Sequence, residues 1–145
     1  MNAAYSFRSY KTVATQTAQP GQLVVMLYEG AIRFLERALE GFQYEDPKEF
    51  NETINNNVIK AQEILNELDA SLDLDQGGEL AVTLRGLYNY MNNRLTDSNA
   101  EKSPEGIHDA VQRLSTLRDA WREMLGHPGN FQPQPVSYGQ FAAAY

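Results

Sequence analysis

The chain contains no cysteine among its 145 residues. Disulfides, thiolate nucleophiles and cysteine-type zinc sites are therefore excluded, and nothing calls for an oxidising compartment. Clusters of Lys or Arg are also missing. Twelve basic residues face 19 acidic ones, and the formal net charge is −7. A chain with that balance would repel the phosphates of a nucleic acid and an anionic bilayer surface. Long hydrophobic runs are absent as well. The longest, 23–28, is far too short to span a bilayer. Residues 1–13 carry no apolar core of a signal peptide. The expectation is a cytoplasmic protein with no nucleic-acid partner and no membrane insertion. No repeat at a solenoid period and no low-complexity block appears.

What is present is helical periodicity. Hydrophobic residues make up 42% of the chain, and they fall at three- and four-residue steps in four stretches. The first spans 20–43, with Leu23, Leu27, Gly30, Phe34 and Ala38 on one stripe. The second spans 47–72 and opens on Asp46, Pro47 and Glu49, a capping-box pattern with Asp as the cap. The third spans 78–97 and follows a Gly77-Gly78 break. The fourth spans 104–125, with Ser103 suited to the cap, Pro104 to the first turn, and Gly126 to the stop. Short connections between long amphipathic helices favour antiparallel neighbours, so the predicted fold is an all-α, up-down-up-down four-helix bundle. The bundle covers 20–125. Residues 1–19 form an N-terminal segment, and 126–145 read as a flexible tail rich in Pro and aromatics.

Catalytic and metal-binding patterns are not found. A di-iron bundle needs two Glu-x-x-His pairs on different helices. Glu105 and His108 supply one, and the other histidine, His127, lies outside the helices. Glu105 is in any case favoured by the dipole of a first helical turn. There is no H-E-x-x-H, no nucleophile elbow and no phosphate-cradling glycine loop. The chain is not expected to be an enzyme, and no cofactor or metal is implied.

The informative feature is surplus apolar surface. Beside the first stripe, the opening helix carries a second one with Val24, Tyr28, Ala31, Leu35, Leu39 and Phe42. A bundle helix needs only about a third of its circumference apolar. Either the core is broad at this helix, or a groove is open to a partner helix or to the chain's own N-terminal segment. Ile59, off the core stripe, sits among Asn55, Asn56, Gln62 and Asn66. These amides either hydrogen-bond a partner or are simply solvated. Tyr90 also lies off its stripe, with its hydroxyl available as a polar handle.

Several runs together resemble a known family. They are Y-K-T-V at 10–13, T-A-Q-P at 17–20, M-L-Y-E-G-A at 26–31, K-A-Q-E-I-L-N-E-L at 60–68, G-G-E-L-A at 77–81, L-Y-N-Y-M-N-N-R-L at 87–95 and L-R-D-A-W at 117–121. In this order they resemble the flagellin export chaperone family, FliS, over about residues 7–124. The resemblance implies an antiparallel four-helix bundle with a short N-terminal segment packed on it. It implies binding to the C-terminal helical segment of flagellin, which prevents premature polymerisation and aids delivery to the flagellar type III export gate. It also implies that Tyr10, with Phe7 beside it, is a contact or lid residue at the cargo site. Two features depart from the family pattern. Gln19 stands where Ser or Thr usually precedes the proline, and the chain continues past Gly126. That continuation is either an idle tail or a segment that docks in the cargo groove.

The residues expected to bind a partner are Phe7, Tyr10 and Val13 in an N-terminal clasp, and Val24, Tyr28, Leu35, Ile59, Asn66 and Tyr90 along a groove. Trp121 is expected to be structural. The alternative reading is a generic helical adaptor or homo-oligomerisation module, a homodimer in its simplest form. A third, an enzymatic metal bundle, requires a metal-loaded preparation.

Overall fold

A computed structural model describes residues 20–126 and 143–145. Four helices follow one another: α1 (Pro20–Gly41), α2 (Pro47–Ala70), α3 (Leu74–Glu101) and α4 (Glu105–Gly126). No strand occurs among the described residues. Each helix touches the next in a closed ring, α1 to α2, α2 to α3, α3 to α4 and α4 back to α1. The side-chain partners run in opposite order along neighbouring helices. On α2 and α3, Asn55 meets Asn99 at one end and Asp69 meets Arg85 at the other. On α1 and α2, Phe34 lies beneath the Lys60 ammonium while Phe42 meets Phe50 edge-on near the connecting turn. Neighbours therefore run antiparallel.

The helix starts follow local chemistry. Asp46 accepts the Glu49 N–H at 3.0 Å, and Pro47 occupies the first turn of α2 as expected. The third helix differs from the sequence reading. It begins at Leu74, not after the glycine pair, because Asp73 accepts the N–H groups of Asp75 and Gln76. The break falls inside the helix at Gly78, whose φ of 56° and ψ of −135° are open to glycine and costly for any other residue. The helix also runs four residues beyond its expected end, to Glu101, before Lys102 closes it in the left-handed region. Gly106 of α4 lies against this part of α3. A Cβ there would lie 2.8 Å from the Arg94 carbonyl oxygen, so the missing side chain lets α4 approach the backbone of α3.

The core is widest on α1. Both of its stripes are buried, including Val24, Leu27, Tyr28, Phe34 and Leu35. Leu23, on the stripe expected to face the core, is only partly buried. The ring explains the doubled stripe. The helix packs against both α2 and α4 and reaches α3 across the centre through Tyr28. It therefore needs far more than the third of its circumference that a single seam would require. The contacts of α1 are correspondingly apolar and dense, whereas the two seams of α3 are sparser and add polar pairs at their rims to the buried Leu84, Tyr88, Met91 and Leu95.

Candidate partner-binding site

Three aromatic side chains converge from three helices near one end of the bundle. Tyr28 comes from α1, Tyr88 from α3 and Trp121 from α4, and all three are buried. The Tyr28 and Tyr88 hydroxyls lie 2.7 Å apart and share a hydrogen bond. A fourth aromatic, Tyr145, joins them from the far end of the chain. Its hydroxyl bonds that of Tyr88, and its ring sits 6.0 Å from Trp121 at a tilt of 60°. Such tilted pairs are favoured over a face-to-face sandwich.

The segment carrying Tyr145 is seated, not loosely apposed. Ala143 and Ala144 are helical, and Ala144 is fully buried. The Asp73 N–H donates to the Ala144 carbonyl at 2.9 Å. Gly77 makes room for the approach, since a Cβ there would stand 2.9 Å from the Ala144 Cα. Residues 143–145 thus fill a slot floored by Tyr28 and Tyr88, walled by Trp121 and closed by the first turn of α3. Of the two readings of the tail, idle or docked, these residues take the docked form, while 127–142 lie outside the described ones. The sequence carried only a weak signal for this docking, in the spaced aromatics of the tail.

Burial sets the proton affinity of the cluster. Tyr28 is pushed up to about 12, chiefly because burial penalises the phenolate, against a smaller opposing effect of its hydrogen bonds. Tyr88 and Tyr145 are likewise raised by burial, and each is raised further by neighbouring tyrosines. All three are neutral hydroxyls at physiological pH. They act as a hydrogen-bonded apolar floor and not as acids or bases.

A second surface follows the seam between α2 and α3. Asn92 donates to Asn66 at 2.9 Å, Asn99 to Asn55 at 2.9 Å, and Gln62 to Thr96 at 3.0 Å. The amides expected to reach a partner or solvent are thus largely spent on joining two helices. They leave a shallow polar depression of about 550 Å³. Ile59 stands beside this seam, 42% exposed. Between α3 and α4, the Tyr90 hydroxyl donates to Asp109 at 3.0 Å, and Arg113 lies 4.7 Å over its ring. Arg94 and Arg113 both pair with Asp109.

The predicted groove residues therefore separate. Val24, Tyr28 and Leu35 are buried and offer no open surface, although Tyr28 floors the occupied slot. Ile59 and Asn66 lie along the α2–α3 seam, and Tyr90, 41% exposed, lies along the α3–α4 seam. They do not form one continuous open groove, because a helix in a closed ring shows its two seams in different directions. Phe7, Tyr10 and Val13 lie outside the described residues. Trp121 is structural as expected, at 2% exposure. His108 is exposed on α4, and no group of three or more metal-ligating side chains occurs among the described residues.

Comparison with known proteins places this architecture. A family model described as flagellar protein FliS matches residues 1–128. The flagellar secretion chaperone FliS of Salmonella typhimurium is 33% identical over 129 residues, covering 86% of this chain and 93% of the relative. Its counterpart in Bacillus subtilis is 30% identical over 119 residues, covering 82% and 85%. The protein of the same name in Escherichia coli is 30% identical over 137 residues, covering 91% and 98%.

Proposed function

The chain belongs to the FliS family of flagellar proteins, and from that premise we propose that it is a flagellar secretion chaperone whose cargo is the C-terminal helical segment of flagellin. It is a binding protein and not an enzyme. It holds its cargo in the cytosol, keeps the polymerising helix from its own kind, and aids its delivery to the flagellar type III export gate. The C-terminal segment of flagellin orders as it docks, which costs conformational entropy that burial on the bundle must offset. No nucleotide is needed, because a bound segment is simply withheld from assembly.

The observation that carries this reading is the peptide segment, residues 143–145, seated against the aromatic slot. A bundle that seats Ala143, Ala144 and Tyr145 against Tyr88 and Trp121 offers a peptide-binding surface of the kind a helical cargo would use. The acidic balance of the chain and the absence of a basic cluster support a peptide partner over nucleic acid. No helix among the described residues is long and apolar enough to cross a membrane.

Calorimetric titration with the C-terminal helical segment of the same organism's flagellin tests the proposal. The expected result is one-to-one binding with a large negative heat-capacity change. Ile59→Asp, at an exposed position, should weaken binding while leaving the melting temperature within about 2 °C of the parent, as surface changes do. Absence of binding, together with a concentration-dependent mass in light scattering, would replace the chaperone reading with self-association.

A further inference from the structure

We propose that residues 143–145 are a built-in competitor: they occupy a slot formed by Tyr28, Gly77, Tyr88 and Trp121 that flagellin cargo must take over, so that docked segment and bound cargo exclude one another. The inference rests on the cargo assignment above and adds to it a device that regulates access.

Four observations carry it. The segment fits the slot as a ligand would, with Ala144 fully buried, one backbone hydrogen bond from Asp73 and one hydroxyl bond to Tyr88. It lies at the surface, with Ala143 and Tyr145 still partly exposed, so these residues can leave without opening the bundle. Its departure strands little. Tyr28 and Tyr88 keep their own 2.7 Å bond, so the floor loses no obligatory partner when Tyr145 leaves. Finally, the occupant lies beyond residues 1–128, the span that the family model matches, so the device is added to the bundle and is not part of the matched core. Because the segment is tethered to α4 through residues 127–142, it rebinds intramolecularly and competes without needing a high concentration.

The consequence is quantitative. A cargo that needs the slot empty binds with an affinity reduced by the fraction of molecules whose slot is open. A segment docked roughly nine-tenths of the time weakens cargo roughly tenfold. As cargo saturates the protein, the segment is released and becomes available to whatever reads the loaded state.

The test uses the full chain with Ala144→Arg, which cannot be accommodated in a fully buried position, and with Tyr145→Ala as a second variant. Two probes are titrated, the synthetic peptide Gln-Phe-Ala-Ala-Ala-Tyr and the C-terminal helical segment of the organism's flagellin. Both are followed by the fluorescence of Trp121, the one tryptophan in the sequence. Circular dichroism and melting confirm that the bundle is intact in each variant. The expected result is that both variants bind cargo roughly tenfold more tightly than the parent. The free peptide should bind the variants and lower their affinity for cargo. Equal cargo affinity in parent and variants, with the peptide still bound, overturns the competitor while leaving the chaperone reading intact. Failure of cargo to bind any of the three proteins overturns the cargo assignment and the competitor with it. Peptide binding in that case would still report that the slot itself exists.

Discussion

A phenol taken out of water resists ionisation, because the phenolate loses more hydration than the neutral hydroxyl. Tyr28, with its value pushed up to about 12 from an ordinary 10, holds a proton in the folded state that the unfolded chain releases above pH 10. Stability is therefore at its full value below pH 10 and falls as the pH rises through about 12. Tyr88 and Tyr145, raised for the same reason, push in the same direction. In an alkaline titration followed at the phenolate absorbance band, these three tyrosines should ionise only together with unfolding. Ionisation of these three near pH 10, with the circular dichroism unchanged, would show that the cluster is solvated. Trp121 sets a second test at this scale. It is 2% exposed and packs where α4 meets the slot. Trp121→Ala should cost about 3–5 kcal/mol in urea unfolding, as large-to-small core changes do. A cost below about 1 kcal/mol, the size of an ordinary surface change, would place the indole outside the core.

Helix pairing in this bundle divides between apolar and polar seams, and the polar one can be measured. Asn55 and Asn99 join α2 to α3 by a part-buried hydrogen bond of 2.9 Å. A double-mutant cycle with Asn55→Ala and Asn99→Ala should give a coupling of about 0.5–1.5 kcal/mol in chemical denaturation. Zero coupling would mean that water serves each amide equally well. The helices themselves were legible from the sequence because apolar period, caps and breakers agreed. Asp46 with Pro47 and Glu49 is the clearest case. The start of α3 was missed although its signal was present. Asp73 lies three residues before Gln76, the spacing of a capping box, but the glycine pair that follows is the louder mark of a break. The extension of α3 through Ser98 and Asn99 was not legible, since these are poor helix formers, Ser98 lying against Gly106 and Asn99 bonded to Asn55. The surplus stripe on α1 was visible, but whether it is core or groove depends on how many neighbours the helix has, which is a property of the ring. The slot at Tyr28 and Tyr88 was half legible. Its floor lay in that stripe, while its occupant is three residues too short to carry any periodicity.

On the scale of the whole molecule, the ring is asymmetric, and the asymmetry predicts which part moves. The first helix is clamped along both seams by apolar side chains, and its central residues are buried on most sides. The third buries Ala81, Leu84, Tyr88, Met91 and Leu95, but its seams to α2 and α4 also carry amides, an Asp–Arg pair at 3.0 Å and the Tyr90–Asp109 contact, all partly reached by water. It is also interrupted by Gly78, which breaks the continuity of its backbone hydrogen bonds near the slot. A helix with sparser contacts and an interrupted backbone opens at lower free energy than one clamped on both sides. Native-state hydrogen exchange should therefore show the central amides of α1 exchanging only through global unfolding. Those of α3 between Glu79 and Tyr88 should exchange at least about tenfold faster, a difference of about 1.4 kcal/mol in opening free energy. Saturating the protein with its cargo segment should slow α3 more than α1, because a ligand protects most where it closes a low-energy opening. Equal protection of the two helices in the free protein would mean that the amide seams hold as firmly as the apolar ones.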